Sequence, residues 1–151
     1  MNDISIYFDG ACTPTNPGGI GSWGYIIQKD GKNIVEDCGV AEDGKPSTCN
    51  VAEYFGLISA LKKLNELDEA KFPIKIYGDS NLVIQMVTKK WGWRKGAWLP
   101  HRKMPHLKVL LFEALELLEG KSFTAEWISR DYNEEADRLS KLGYKKFIEV
   151  K

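Results

Sequence analysis

Long hydrophobic runs are absent from this sequence, and so is a recognisable targeting segment. None of its 151 residues belongs to an apolar stretch long enough to cross a membrane, and residues 1–3 lead straight into an alternating segment without the basic and apolar parts of a signal peptide. We therefore expect a soluble, cytoplasmic protein with no membrane partner. The length predicts one domain, and a hydrophobic content of 43% is enough for a single core.

Cysteine and histidine are scarce. The three cysteines are an odd number without metal-type spacing, which favours free thiols in a reducing compartment over disulfides or a zinc site. The two histidines, His101 and His106, also lack a cysteine or histidine partner at zinc-binding spacing. We expect both histidines to lie at the surface or near a phosphate.

Net charge is absent as well, but the charges are unevenly distributed. Lysine and arginine together number 21, as do aspartate and glutamate, and this balance alone argues against a nucleic-acid-binding protein. Yet no acid occurs between Asp79 and Glu113. The basic residues of that interval are Lys89, Lys90, Arg94, Lys95, Arg102, Lys103 and Lys108.

Alternating and helical hydrophobic periods divide the chain into strands and helices. The first strand ends at Asp9, Asp30-Gly31 is a hairpin signal, and Thr48 or Asn50 is expected to cap the first helix and Asn133 the last. The predicted strands cover residues 4–9, 23–29, 33–40, 74–78 and 123–129, and the predicted helices cover residues 48–67, 80–90, 105–119 and 133–142.

This order of elements predicts an α/β fold. Three strands with short connections form an antiparallel meander, and the strand–helix units after them add parallel strands, giving a mixed sheet of about five strands flanked by helices. We expect a single domain over residues 1–143. Residues 144–151 are a basic, alternating tail, expected to be either a loose extension or a docked strand.

Four acids are predicted to converge. Asp9 and Asp79 each follow a strand, and parallel strands bring their carboxyl ends to one edge of a sheet. Glu53 stands in the opening turn of the first helix, and Asp137 lies one turn into the last. Clustered carboxylates repel one another unless cations occupy the site, and oxygen ligands suit Mg²⁺ or Mn²⁺ better than zinc. Two such ions ~4 Å apart can promote phosphodiester hydrolysis.

Each acid alone has a simpler interpretation. An aspartate before glycine is often a turn residue, a glutamate in a first helical turn interacts with the helix dipole, and an aspartate within a helix commonly faces solvent. The order and context of all four acids favour the metal site.

Four motifs together resemble type 1 ribonuclease H, from about residue 4 to residue 142. They are Tyr7-Phe8-Asp9-Gly10 with Asn16-Pro17-Gly18, Thr48-Cys49-Asn50-Val51-Ala52-Glu53, Tyr77-Gly78-Asp79-Ser80, and Asn133-Glu134-Glu135-Ala136-Asp137. The resemblance implies the ribonuclease H-like fold and hydrolysis of the RNA strand of RNA–DNA hybrids, leaving 5′-phosphate and 3′-hydroxyl ends. It implies two Mg²⁺ ions, with Mn²⁺ as a substitute, and the catalytic, metal-binding acids Asp9, Glu53, Asp79 and Asp137.

The resemblance also implies substrate contacts. The expected contacts outside the basic interval are Gly10, Asn16, Thr48, Cys49, Asn50, Asn81 and Arg130. Thr48 would meet a DNA phosphate, whereas Gly10, Asn50 and Asn81 would face 2′-hydroxyls in the shallow minor groove. Relatives often carry asparagine where Cys49 stands and a basic residue where Val51 stands.

The loop before the last helix departs from the bacterial pattern. Residues 128–132 contain no histidine, whereas bacterial relatives often carry one there, thought to assist product release. Arg130 is the expected stand-in, as in the archaeal- and plant-like branch, which residues 130–137 resemble.

Basic residues and tryptophans are interleaved over residues 89–103. Cations neutralise phosphates and rings pack on sugars, so Trp91, Trp93, Arg94 and Lys95 are predicted to contact the hybrid. Alternatively, the tryptophans are packing residues beneath a solvated basic rim. Relatives often have a longer basic handle at this place, and we expect a reduced one here.

Two rival functions remain open. A nuclease of the same fold acting on DNA or on RNA–DNA junctions usually carries large insertions or extra domains, and the sequence shows neither. A nuclease-inactive hybrid-binding module would have lost at least one acid, and all four are present. We expect an active endonuclease that works as a monomer on RNA–DNA hybrid duplexes.

Overall fold

A mixed β-sheet runs through the computed structural model, which describes residues 3–68 and 71–150. The strands are β1 (Ile4–Thr13), β2 (Ile20–Lys29), β3 (Lys32–Val40), β4 (Ile74–Gly78), β5 (Trp93–Arg94), β6 (Ala97–Trp98) and β7 (Phe123–Trp127), and the helices are α1 (Cys49–Glu66), α2 (Asn81–Val87), α3 (Pro105–Leu118) and α4 (Glu134–Val150).

The main sheet has five strands in the order β3-β2-β1-β4-β7. β1, β2 and β3 form an antiparallel meander, whereas β4 runs parallel to β1, and β7 parallel to β4. Asp30 and Gly31 join β2 to β3 with φ angles of 53° and 82°, the left-handed values that a tight hairpin turn needs. The predicted α/β fold with a mixed five-stranded sheet is confirmed.

Helices α1 and α4 cover opposite faces of the sheet. Asp9 pairs with Gly24 in the β1–β2 ladder, so Gly10 and Gly24 face opposite sides. A Cβ atom on Gly10 would collide with the α1 backbone at Glu53, and one on Gly24 would lie 2.5 Å from the Cβ of Leu139 in α4. The missing side chains of these two glycines therefore let both helices approach the sheet closely.

The hydrophobic core lies on the α1 face. Phe8 pairs with Tyr25 across β1 and β2, and both are fully buried with Tyr54 and Leu57 of α1. Burying a large apolar side chain contributes about 1.5–3 kcal/mol. Phe8 immediately precedes Asp9, so the core holds the backbone that carries the first predicted acid.

Strand β1 is longer than predicted. It continues past Asp9 to Thr13 because residues 10–13 pair with residues 20–23 of β2. Asp9 therefore lies within a strand and does not end one, and the turn that was expected from Gly10 onward begins only after Thr13. The pairing partner, which is distant in sequence, overrides the turn tendency of the small residues.

Helix α1 begins at Cys49. The hydroxyl of Thr48 caps it by accepting a hydrogen bond from the backbone N–H of Val51 at 3.2 Å, so Thr48 and not Asn50 is the cap. Glu53 was expected in the opening turn of α1. It is the fifth helical residue and lies just after that turn, so the expectation is wrong by one position.

Helix α4 extends to Val150 and crosses the predicted domain boundary at residue 143 without interruption. The predicted loose extension or docked strand after that point is wrong for residues 144–150. Gly143 permits the helix to approach β3, because a Cβ there would lie 2.6 Å from the carbonyl oxygen of Gly39. Phe147, one turn further on, lies against Gly44. Gly143 therefore serves close packing and does not end the helix.

Candidate active site

Three of the predicted acids meet at one end of the sheet. One carboxylate oxygen from each of Asp9, Glu53 and Asp79 lies within 4.8 Å of the others. β1 and β4 are parallel with Phe8 beside Gly78, so Asp9 and Asp79 follow neighbouring residues of adjacent strands. Glu53 joins them because α1 packs directly on Gly10.

Two acids of this cluster are buried, and their pKa values are raised. Asp9 and Glu53 are only 3% and 7% exposed. Burial, and then the charge of Asp79, raises the pKa of Asp9 to about 8. Burial also raises the pKa of Glu53, as do the charges of Asp9 and Asp79, and a hydrogen bond from the Gly10 backbone only partly offsets that rise. The cluster therefore cannot hold its full negative charge without a compensating cation.

The donor set fits a divalent cation that prefers oxygen. Among the described residues, Glu53 Oε2 and Asp79 Oδ2 are buried oxygens without any hydrogen-bond partner. Three carboxylates converging on one point, with no nitrogen or sulfur ligand, suit Mg²⁺ or Mn²⁺. Unpartnered buried carboxylate oxygens are costly, and a cation is the group that would satisfy them.

Asp137 lies beside this cluster but is not part of the compact group of three. Its carboxyl group interacts with that of Asp9, and Lys141 Nζ lies 3.0 Å from its Oδ2 atom. Burial pushes the pKa of Asp137 upward, but the contacts with Lys141 and Asp9 outweigh burial and leave the pKa lowered. Asp137 therefore contacts the cluster from α4, and it does so at Asp9, whose side chain lies on the α4 face of β1.

Three neighbours of the acids were not identified as such from the sequence. Asn133 donates from Nδ2 to the Phe8 carbonyl at 2.9 Å, and Trp127 donates from Nε1 to the Asp79 carbonyl at 3.1 Å. The Ser140 hydroxyl lies 3.5 Å from Asp9 Oδ2. The predicted capping role of Asn133 is wrong, because its Oδ1 atom has no hydrogen-bond partner among the described residues. Of these three neighbours, only Asn133 could have been found from the sequence, because it precedes Asp137 by four residues.

Several predicted substrate contacts have structural roles. Gly10 lacks a side chain where α1 crosses β1, and Thr48 caps α1. Asn16 accepts a hydrogen bond through Oδ1 from the backbone N–H of Cys49 at 3.1 Å, which ties the turn after β1 to the start of α1. Asn50 is half-buried and Asn81 is exposed. The structure thus places these residues around the start of α1 and at the start of α2.

Arg130 lies at the mouth of the site. Its side chain is 80% exposed, and its Nε atom lies 3.8 Å from Asp79 Oδ2. It belongs to a short 3₁₀ turn, Arg130–Tyr132, between β7 and α4. An exposed cationic side chain therefore lies beside Asp79, at the edge of the acid cluster.

The tryptophan-rich segment folds as a small hairpin, which we call the basic ribbon and define as residues 89–99. β5 and β6 are its antiparallel strands, and Lys95 and Gly96 make its turn with φ angles of 49° and 80°. Trp93 is 57% exposed, whereas Trp98 packs edge-on against Phe112 of α3. Packing is therefore confirmed for Trp98, whereas contact of Trp93 with a hybrid stays a prediction. Helix α2 ends at Val87, earlier than predicted, and Lys89 follows with a left-handed φ angle of 59°.

His101 is not at the surface, contrary to prediction. It is 5% exposed, and its Nε2 atom lies 2.6 Å from the hydroxyl of Tyr54, a residue of α1. Burial lowers the pKa of His101. His106 does lie at the surface, where Nε2 is 3.2 Å from Glu42 Oε2. His101 therefore anchors the segment after the basic ribbon to α1.

The fold and the site together define an α/β protein of the ribonuclease H-like fold, with acids gathered at the ends of neighbouring parallel strands. The chain belongs to the RNase H family, whose sequence model matches residues 1–145. The resemblance inferred from the four motifs is thereby confirmed. No helix in residues 3–68 and 71–150 has the length and apolar character needed to span a membrane.

Known relatives match most of the chain. A ribonuclease H from Treponema denticola is 34% identical in an alignment 159 positions long, and the alignment covers 91% of this chain and 94% of the relative. The crystal structure of RNase H1 from the archaeon Halobacterium salinarum superimposes with a TM-score of 0.77 at 29% identity, covering 95% of this chain and 98% of that one. An N-terminal RNase H domain from Mycobacterium tuberculosis gives a TM-score of 0.80 at 25% identity, covering 99% of both chains.

Proposed function

We propose that this protein is an endoribonuclease that hydrolyses the RNA strand of RNA–DNA hybrids with the help of Mg²⁺ or Mn²⁺. The convergence of Asp9, Glu53 and Asp79 within 4.8 Å is the observation that carries the proposal, because such a cluster is costly to keep unless it binds cations. Membership of the RNase H family supports the substrate and the reaction.

Each acid has an assigned role in the proposed mechanism. Asp9 is central, Glu53 and Asp79 would hold one ion, and Asp137 would help to hold a second together with Asp9. The ions held by these acids would supply activation of the attacking water and stabilisation of the leaving 3′-oxygen, consistent with 5′-phosphate and 3′-hydroxyl products. Lys141 keeps Asp137 ionised, since the pKa of that carboxyl is lowered by the contact.

Substrate recognition is proposed to involve two surfaces. Gly10, Asn50 and Asn81 would face the 2′-hydroxyls that distinguish RNA from DNA, and Asn16 would be a further substrate contact near the start of α1. Arg94 and Lys95 at the tip of the basic ribbon would contact phosphates, with the exposed ring of Trp93 against a sugar.

Arg130 is proposed to attract the scissile phosphate and to take the place of the loop histidine of bacterial relatives. Its exposed side chain beside Asp79 supports this assignment. The protein is further proposed to act as a monomer in the cytoplasm, and its place in the archaeal- and plant-like branch stays a prediction.

A cleavage assay with labelled duplexes tests the proposal. RNA–DNA hybrid, double-stranded RNA, double-stranded DNA and an RNA–DNA junction are incubated with the protein, with and without Mg²⁺. We expect cleavage of the RNA strand of the hybrid, only with the metal. Preference for DNA or for the junction would support the same-fold alternative, and tight hybrid binding without cleavage would support the inactive binding module.

A further inference from the structure

We propose that Ser140 is a positioning residue that holds the Asp9 carboxylate in the orientation needed for metal binding. This inference rests on the proposed function, and it concerns a side chain to which no sequence motif assigned a role. Ser140 is fully buried in α4, one turn after Asp137. It therefore belongs to the wall of the site and not to the solvent-exposed side of the helix.

The Ser140 hydroxyl stands between two elements that carry acids. Its Oγ atom lies 3.5 Å from Asp9 Oδ2 in β1 and 2.8 Å from the carbonyl oxygen of Asp137 in α4. A hydroxyl has one proton to donate. The shorter contact is the one to Asp137, and the carboxylate of Asp9 lies within reach as a second acceptor.

A carboxylate is a stronger acceptor than a backbone carbonyl. Hydrogen bonds to a carboxylate are roughly twice as strong as bonds between neutral groups. The Asp137 carbonyl lies inside an α-helix, where the N–H four residues later is also available to it. Donation to Asp9 therefore costs little at Asp137 and orients the Oδ2 atom of Asp9.

The backbone geometry keeps the serine in register with Asp9. Gly24 is the β2 residue that pairs with Asp9, and a Cβ on Gly24 would lie 2.6 Å from the backbone nitrogen of Ser140. The backbone of α4 thus packs directly on Gly24, the residue beside Asp9, with no side chain between them. The position of Ser140 relative to Asp9 is set by this contact, so the hydroxyl needs only to rotate.

Loss of the hydroxyl is expected to leave Asp9 free to turn about its terminal torsion. Partners that orient metal-binding side chains commonly affect metal affinity or activity by about 10–100-fold. We expect Ser140→Ala to weaken Mg²⁺ binding and to lower kcat by about 10-fold, with KM for the hybrid unchanged, because the serine does not face the substrate.

Two further variants sharpen the comparison. Ser140→Cys keeps most of the side-chain volume but donates weakly, and we expect it to behave like Ser140→Ala. Ser22→Ala is the matched control, since Ser22 is also fully buried, and its hydroxyl has no hydrogen-bond partner among the described residues. We expect Ser22→Ala to bind Mg²⁺ and to cleave like the unmodified protein.

The test combines an NMR titration of backbone amides with Mg²⁺ in the absence of nucleic acid with steady-state kinetics on the hybrid. Weaker Mg²⁺ binding and lower kcat in both Ser140 variants, with normal Ser22→Ala, support the positioning role. Unchanged Mg²⁺ binding in Ser140→Ala, equal losses in Ser22→Ala, or full function in Ser140→Cys overturn it. If the unmodified protein neither binds Mg²⁺ nor cleaves the hybrid, the proposed function itself fails.

Discussion

Asn133 donates a hydrogen bond from its side-chain amide to the carbonyl oxygen of Phe8 at 2.9 Å, joining residues that are 125 positions apart. The bond is buried and lies directly before Asp9 in β1 and directly before α4. It fixes the first acid-bearing strand to the helix that carries Asp137. The relative placement of these two acids therefore depends on a neutral side chain.

Replacing Asn133 by alanine is expected to lower both stability and activity. Removing a buried hydrogen-bond partner costs about 1–3 kcal/mol, which in a protein of this size lowers Tm by about 2–10 °C. Because α4 would lose its register against β1, kcat should fall more than KM rises. Thermal unfolding and hybrid-cleavage kinetics measure the two effects, and the exposed Asn33→Ala is the control. An Asn133→Ala variant with unchanged Tm and kcat would contradict the tether.

Asp9→Asn is expected to abolish Mg²⁺-dependent cleavage while stabilising the metal-free protein. The amide is nearly the same size as the carboxyl group but does not ionise, so the folded protein neither buries a charge beside Glu53 and Asp79 nor has to take up a proton to avoid one. We expect Tm in EDTA to rise by about 5 °C. Differential scanning calorimetry and a gel assay provide the readouts. Retained cleavage would refute the catalytic role of Asp9. A lower Tm would refute the proposal that its carboxyl group destabilises the protein when no metal is bound.

Replacement of Arg94 and Lys95 by alanine is expected to raise KM with little change in kcat. Each lost phosphate contact should make the slope of log affinity against log salt shallower by about 0.7–0.9. The double variant Lys32→Ala/Lys62→Ala removes two exposed lysines outside the basic ribbon and should leave both quantities unchanged. Binding measured from low to moderate salt decides the matter. If KM and the salt slope did not change, Arg94 and Lys95 would not contact the substrate.

His101 is expected to make stability depend on pH. Because burial lowers its pKa, the folded state favours the neutral ring, whereas the unfolded chain takes up the proton near pH 6.5. The stabilisation from His101 is therefore present above pH 6.5 and is lost as the pH falls below that value. His101→Gln lacks this dependence.

Urea unfolding of both proteins from pH 5 to pH 8 tests this expectation. The free energy of unfolding of the unmodified protein should fall relative to that of His101→Gln as the pH decreases. Tyr54→Phe, which removes the hydroxyl partner 2.6 Å away, should destabilise the protein even at pH 8. Two parallel pH profiles for the unmodified protein and His101→Gln would contradict a neutral buried histidine.

Local signals were sufficient for much of the fold. The hairpin at Asp30-Gly31, the cap at Thr48 and the strand that ends before Asp79 all depend on a few adjacent residues, and the structure has each of them. Features that depend on distant partners were predicted less well. β1 is prolonged by its pairing with β2, and α4 continues through Gly143 because that glycine packs on Gly39.

By itself, the sequence determined which acids are available, in what order, and on which kinds of element, because these depend on covalent order and on local backbone preferences. Only the tertiary structure decided that Asp9, Glu53 and Asp79 form the compact group while Asp137 joins through Asp9. It also decided that His101 is buried and that Asn133 and Ser140 reach toward β1. Distances between acids, burial of side chains and hydrogen bonds between distant residues arise only when the helices pack on the sheet. No run of adjacent residues encodes them.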